Sequence, residues 1–428
     1  MDSTRAVRRL IWLYFWLLIF EGALRKWVLP GVADALLIVR DPVVIAIYLA
    51  ALNRKLFPVN GFVQVIFILA AVSFVTGLFA GHGNGWVMLF GVRTNFLHLP
   101  LIYLIPKVFD LKEVEKIGRW ALILALPMAV LMFLQFRAPA GGVLNRGMTE
   151  EFSQLPSMMG RVRASGTFSF VTGPVAYFSL VAAFFIHGFL QKKIYPLWVV
   201  WAAAAGLAVS CATSGSRAFV LAVALVFMML VVIWFFQPRL TPAISKLLFL
   251  GAIGFLLIWF LPMFKEGLDI TVLRFEQAHE FEAETGGIGA RFLRSFTSAF
   301  GMFNQVPFFG HGIGMGTNVG AVLLTGQRQF LLAEFEWDRI LMESGVLLGP
   351  LYILLRIAIV FSMARRVLGA LRRQNALPIL IFAACALSVV NGAFGQSTAL
   401  GFAVLGAGLC LAAGNFGPPA KGSEGGLR

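Results

Sequence analysis

The sequence predicts an all-α polytopic membrane protein with about twelve transmembrane helices and one long polar loop that carries an amphipathic helix. Three observations predict it. Of the 428 residues, 59% are hydrophobic and only 13% are charged, an apolar share above that of soluble domains. The apolar residues fall in successive runs near the roughly 20 residues that a helix needs to cross a bilayer. The short connections between alternate runs are basic, as cytoplasmic loops are.

In chain order the spans are expected at 10–29, 32–52, 61–80, 86–105, 119–136, 171–190, 194–212, 217–236 and 246–262, then at 336–363, 377–394 and 398–413. Nine spans thus occupy residues 1–262, with a shorter outer loop near 137–170. The long loop covers 263–335, three spans follow in 336–414, and the Gly/Pro/Ser-rich tail 415–428 is expected to stay unpacked. The first apolar run lacks a small-residue cleavage site and is followed by Glu21, Arg25 and Lys26, so no cleavable signal peptide is expected.

Orientation follows from the charges. With the N-terminus cytoplasmic, the inner connections hold more than half of the 35 Lys and Arg, among them Arg54 and Lys55, Lys192 and Lys193, and Arg365, Arg366, Arg372 and Arg373. The long loop holds Lys265, Arg274, Arg291, Arg294 and Arg328 against Glu266, Asp269, Glu276, Glu280, Glu282, Glu284 and Glu334. An even number of spans returns the C-terminus to the cytoplasm. The positive-inside rule therefore accounts for the net charge of +15, and no nucleic-acid partner is expected. Cys211, Cys385 and Cys410 lie in or beside apolar segments and read as small buried hydrophobes. The five histidines share no metal-ligand spacing, there is no Walker motif or dinucleotide fingerprint, and neither metal nor cofactor is expected.

A polar loop this long is functional or disordered, and a helical pattern argues for the first. Phe292, Phe296, Ala299, Phe300 and Phe303 recur on one face, with Arg291, Arg294, Ser295 and Ser298 off it. The expectation is a helix lying apolar side down on the membrane, with its two arginines toward water. The shorter outer loop carries Arg146, Arg161 and Arg163, against the positive-inside trend.

Charges within spans need a reason, since each costs at least ~2.5–3.5 kcal/mol near the bilayer centre. Arg40 and Asp41 are expected to pair with Glu21, Arg25 or each other. Arg93 faces either a structural partner or a polar cavity. Arg217 opens a span at its outer end, where the helix dipole disfavours a cation, which suggests function. Glu336, Asp338, Arg339 and Glu343 open another. An outward cluster of arginines fits a lipid-linked diphosphate, because the planar guanidinium donates paired hydrogen bonds and stays charged.

Four motifs carry a resemblance: RASGTF from Arg163 to Phe168, TSGSRAF around Arg217, Arg291 followed by PFFGHGIG, and EWDRILMESGVLLG from Glu336 to Gly349. In this order the chain resembles the O-antigen ligase and polymerase superfamily, integral glycosyltransferases of the bacterial inner membrane with a GT-C-like helical fold and a periplasmic loop. EGALRKWVLP and RDP resemble a subgroup tied to exopolysaccharide synthesis. The resemblance implies that an acceptor hydroxyl attacks the anomeric carbon of a glycan held on undecaprenyl pyrophosphate, within the membrane lipid and without metal or nucleotide sugar. It implies that Arg163 and Arg217 stabilise the leaving pyrophosphate, with Arg291 assisting; the charge pattern adds Arg161, Arg294, Glu334 and Arg93 as substrate-binding candidates. A chain-length regulator and export proteins are the implied protein partners. Ligases of the family carry a histidine shortly before the Glu-x-Gly; here Glu334, Phe335 and Glu336 stand there. A carboxylate can act as base, with Glu336 the first candidate and Glu334 the second, and the missing histidine shifts the reading from ligase to repeat-unit polymerase. A lipid-linked sugar flippase is the alternative of another class, but the matching halves common in transporters are not visible.

Overall fold

The computed structural model describes residues 4–147, 160–283, 287–327, 331–333 and 335–415. Helices and no strands make up these residues. In order they are α1 (Arg5–Ala23), α2 (Ala33–Leu36), α3 (Arg40–Leu52), α4 (Gly61–Ala80), α5 (Gly85–Val92), α6 (Leu101–Val108), α7 (Leu111–Arg137), α8 (Thr172–Leu190), α9 (Leu197–Thr213), α10 (Arg217–Phe236) and α11 (Thr241–Phe260). The long loop holds α12 (Pro262–Ala283), α13 (Gly287–Gly301) and α14 (Asn318–Thr325), and α15 (Glu336–Arg372), α16 (Leu377–Asn391) and α17 (Ser397–Gly414) follow.

Eight helices are long and apolar enough to cross a membrane, and nine if the bent pair Gly85–Leu97 and Leu101–Val108 counts as one span. Helices α1, α9 and α16 stand where three more spans are expected. The last two are shorter apolar helices, and α1 carries Arg5, Arg8, Arg9 and Glu21. The expected tail lies outside the described residues beyond Asn415.

Local sequence sets the helix starts. Asn60, Asn84, Asp110 and Thr317 each accept a backbone N–H from the first turn of α4, α5, α7 and α14, supplying a partner that the helix itself cannot. The bundle is layered around α8 and α17, the most enclosed of the long helices, while α11 lies at the edge. Bare backbone permits the close crossings, because dispersion contact rather than water exclusion drives helix packing inside a bilayer. A Cβ on Gly206 of α9 would come within 2.8 Å of the Ala125 backbone in α7. Exposed Phe79, Phe235 and Phe260 on α4, α10 and α11 are what a lipid-facing perimeter requires.

Of the N-terminal charges Arg40 pairs with Glu21 as expected, whereas Asp41 finds its partners on the bent segment. Arg40 bonds Glu21 at 2.7 Å, with Arg25 also within 3.8 Å of that carboxylate, and donates to the Ser397 carbonyl at the start of α17. Asp41 accepts from His98 at 3.0 Å and from Arg93 at 2.6 Å. These bonds fasten α1 and α3 to the bent segment and to α17.

The long loop is mostly helical, and α13 sits differently from the expectation. Phe296 stacks edge-on against Trp337 of α15 and Ala299 is buried, but Phe292 and Phe300 are exposed. The serines expected to face water meet protein instead. Ser298 donates to Asp338 at 2.7 Å, and Asn391 bonds Ser295. Residues of α15 and α16 thus supply partners for Ser298 and Ser295, which a helix lying on lipid would leave to water.

Candidate functional site

The N-termini of α8, α15 and α17 meet at one end of the bundle. Thr172 of α8 donates to Gln396, one residue before α17, at 2.8 Å, and Glu336 of α15 accepts the N–H of Phe394. Helix α10 begins at the same end, its Phe219 packed against Phe178 of α8. The turn before it is made by Gly215, whose φ of +53° suits glycine and few other residues.

Here Arg163 and Arg217 come together, from the loop before α8 and from the first position of α10. The structure adds a third arginine, Arg274 of α12. All three are half-buried. Burial and the neighbouring Arg217 charge hold the Arg163 guanidinium below its ordinary value. Burial and the charges of Arg163 and Arg217 bring Arg274 down to about 10. Arginine stays cationic at physiological pH, so like charges are held close at a helix N-terminus whose own dipole is positive. The Nε of Arg163 is buried without a hydrogen-bond partner among the described residues. Guanidinium groups gathered in this way suit an anion, and helix N-termini are good anion sites. The charge signal that singled out Arg161 and Arg163 also marks Arg274, a basic residue of the acidic long loop, but sequence alone does not say which of these share a site.

Other candidates have different neighbours. Arg161 makes a paired bond to Glu266 at 2.7 and 3.1 Å, tying its loop to α12. Arg93 is committed to Asp41 and the Leu37 carbonyl. Arg294 is exposed on α13, Arg291 lies on the same helix, and Glu334 lies outside the described residues. Glu336 sits in a separate buried cluster. Its Oε1 accepts from Arg339 Nη2 at 2.9 Å and Arg356 Nη1 at 2.8 Å, and its Oε2 from Arg339 Nε at 3.0 Å. Arg356 also donates to the carbonyls of Val389 and Gly392 and lies 3.8 Å over the Phe394 ring. The signal for Arg356 was a lone charge in the middle of an apolar run. Asp338, two residues beyond Glu336, has a single bonded neighbour among the described residues, the Ser298 hydroxyl.

The glycine-rich run is an anchor. At Gly345 the helix α15 breaks, with φ +77° and ψ −179°, which frees carbonyls of the preceding turn. His311 and Gly312 donate their N–H groups to the carbonyls of Met342 and Glu343 at 2.8 and 3.0 Å. The Glu343 carboxylate takes the Gly316 N–H at 2.8 Å and Arg339 at 2.7 Å. A Cβ on Gly310, Gly314 or Gly345 would strike the facing backbone. The Glu-Ser-Gly and PFFGHGIG motifs are thus two halves of one joint.

Fold and site define a multi-pass, all-helical membrane protein with a cationic site at one end of its bundle. Residues 202–344 match the family model described as O-antigen ligase, which supports the resemblance to the O-antigen ligase and polymerase superfamily. The matched stretch contains Arg217, Arg274 and the glycine joint as far as Ser344. The family implies glycosyl transfer of the ligase or polymerase type. No curated protein matches the chain.

Proposed function

We propose that this protein is a polymerase that joins oligosaccharide repeat units carried on undecaprenyl pyrophosphate into a surface or secreted polysaccharide. It acts at the periplasmic face of the bacterial inner membrane, with both termini cytoplasmic. The observation that carries the reading is the convergence of Arg163, Arg217 and Arg274 from three chain segments. A sugar hydroxyl of one lipid-linked unit attacks the anomeric carbon of another. The new glycosidic C–O bond forms as the C–O bond to pyrophosphate breaks, and the charge released onto the pyrophosphate falls among the arginines. Donors preorganised in this way are worth about 2.7–4 kcal/mol each.

The hydroxyl proton needs an acceptor. Glu336 has both oxygens engaged by arginine, and charge-assisted bonds stabilise the ionised carboxylate against protonation. Asp338 retains lone pairs beyond its one bond to Ser298, and we assign the proton acceptor to it in place of Glu336.

The family description favours a second reading, transfer of a finished glycan to lipid A core or protein. The lack of histidine at positions 334–336, shortly before Glu343, favours the polymerase. One experiment tests both. Polyprenyl-linked glycans are extracted from the host lacking the gene and sized, with plasmid copies of wild type and Arg217→Ala. Single repeat units that accumulate and are cleared by wild type alone support the polymerase. Long lipid-linked chains mean a ligase. Units trapped on the inner leaflet mean a flippase, and the arginine reading then fails.

A further inference from the structure

The N-terminal run EGALRKW has no part in the chemistry just described, yet it is built into the loop that carries Arg163. Residues Leu24–Val28 form a π-helical turn. Within it Lys26 is 1% exposed, and its Nζ donates to Ser165 Oγ at 3.0 Å and to the Gly166 carbonyl at 2.8 Å. Both partners are neutral, and no carboxylate reaches this ammonium among the described residues. A buried cation without a carboxylate is costly, and a neutral donor would make the same two bonds without that cost.

The target of those bonds is a constrained turn. Gly166 has φ +58°, and a Cβ there would meet Met128 Sδ. Gln135 of α7 holds the same residue from the other side, accepting its N–H at 2.7 Å and donating to its carbonyl at 3.1 Å. Downstream, Thr167 Oγ1 donates to the Ile19 carbonyl at 2.7 Å and Arg25 to Ser169 Oγ at 3.2 Å. Gly22 admits the loop backbone, since a Cβ would strike Phe168 and Ser169. The loop is thus fixed onto α1 and the π-helical turn from Ser165 to Ser169, and Arg163 emerges from it with its Nε unsatisfied among the described residues.

We propose that Lys26 is a positioning residue for Arg163. Its bonds to Ser165 and Gly166 fix the loop that aims this guanidinium at the diphosphate. The inference rests on the reading of Arg163 as part of an anion site.

The test uses full-length protein in nanodiscs and farnesyl diphosphate as a water-soluble probe, with affinity measured by calorimetry. Four proteins are compared: wild type, Lys26→Met, Arg163→Ala and the double variant. Lys26→Met keeps the buried stem and removes both bonds. It is expected to weaken binding about tenfold, within the cost of an ångström-scale misplacement. The double variant is expected to bind no worse than Arg163→Ala alone, because nothing then remains to be positioned. A structural role independent of Arg163 makes the two losses multiply, and that outcome overturns the proposal, as does wild-type affinity in Lys26→Met. Wild-type affinity in Arg163→Ala instead overturns the anion-site reading itself, and this proposal with it. Ser165→Ala removes one of the two bonds at little change in volume. It is measured in the same cycle should Lys26→Met not fold, with a smaller loss expected and the same lack of additivity.

Discussion

Replacing Glu336 by Gln separates a fixed counter-charge from a catalytic base. The carboxylate accepts four hydrogen bonds, two from Arg339, one from Arg356 and one from the Phe394 N–H. Glutamine keeps the shape but turns an amide nitrogen toward a guanidinium. At least one charge-assisted bond, worth about 1.5–3 kcal/mol, is lost, and Arg356 loses its carboxylate partner inside the protein. Breaking a buried ion pair from one side costs about 3–5 kcal/mol, a large part of a stability that is typically about 5–15 kcal/mol. Asp338→Asn is the opposite case. Asparagine still accepts from Ser298, so stability changes by less than about 1 kcal/mol, while loss of a general base lowers turnover roughly 10²–10⁴-fold. The assay is thermal unfolding of both variants in nanodiscs at one scan rate, together with polymer formed per folded protein. Glu336→Gln is expected to unfold at markedly lower temperature and Asp338→Asn to be stable but inactive. If Glu336→Gln melts with wild type and has lost turnover, or Asp338→Asn keeps full turnover, the assignment of the two carboxylates is wrong.

Three further outcomes follow from the same contacts. Arg217→Ala and Arg274→Ala are each expected to lower turnover about 10²–10³-fold, as loss of one preorganised donor does, read as lipid-linked donor left unconsumed. Gly345→Ala places a Cβ against Phe308 and Gly310 at positive φ and is expected to destabilise by roughly 2–4 kcal/mol through strain and the weakened joint. Gly301→Ala meets open space and should leave the melting temperature unchanged. Arg161→Ala is expected to cost ~0.2–1 kcal/mol, Glu266→Ala slightly more because it also faces Arg137, and the double variant less than the sum of the two, because their shared pair is lost once. Their turnover should stay within about threefold of wild type, and a deep loss in Arg161→Ala alone would restore Arg161 to the substrate site.

The sequence alone determined the class, the helical architecture and the arginine signal, because each is a local property. A run of apolar residues is a candidate span whatever it packs against, since hydrocarbon leaves a backbone no better partner than its own helix. Arg217 stood out for the same local reason, a cation at the wrong end of a helix. Assembly of the site was not legible. Arg163, Arg217 and Arg274 are distant in sequence and meet only because α8, α10 and α12 bring them to one end. Likewise Glu336 and Asp338 are two residues apart and equally acidic as letters. They differ in what the fold sets against each: two arginines, one of them from the middle of α15, against Glu336, and a serine of α13 against Asp338. Charge pairing in a low-dielectric interior depends on distances of a few ångströms, and the packing of the helices, which no single segment encodes, sets those distances.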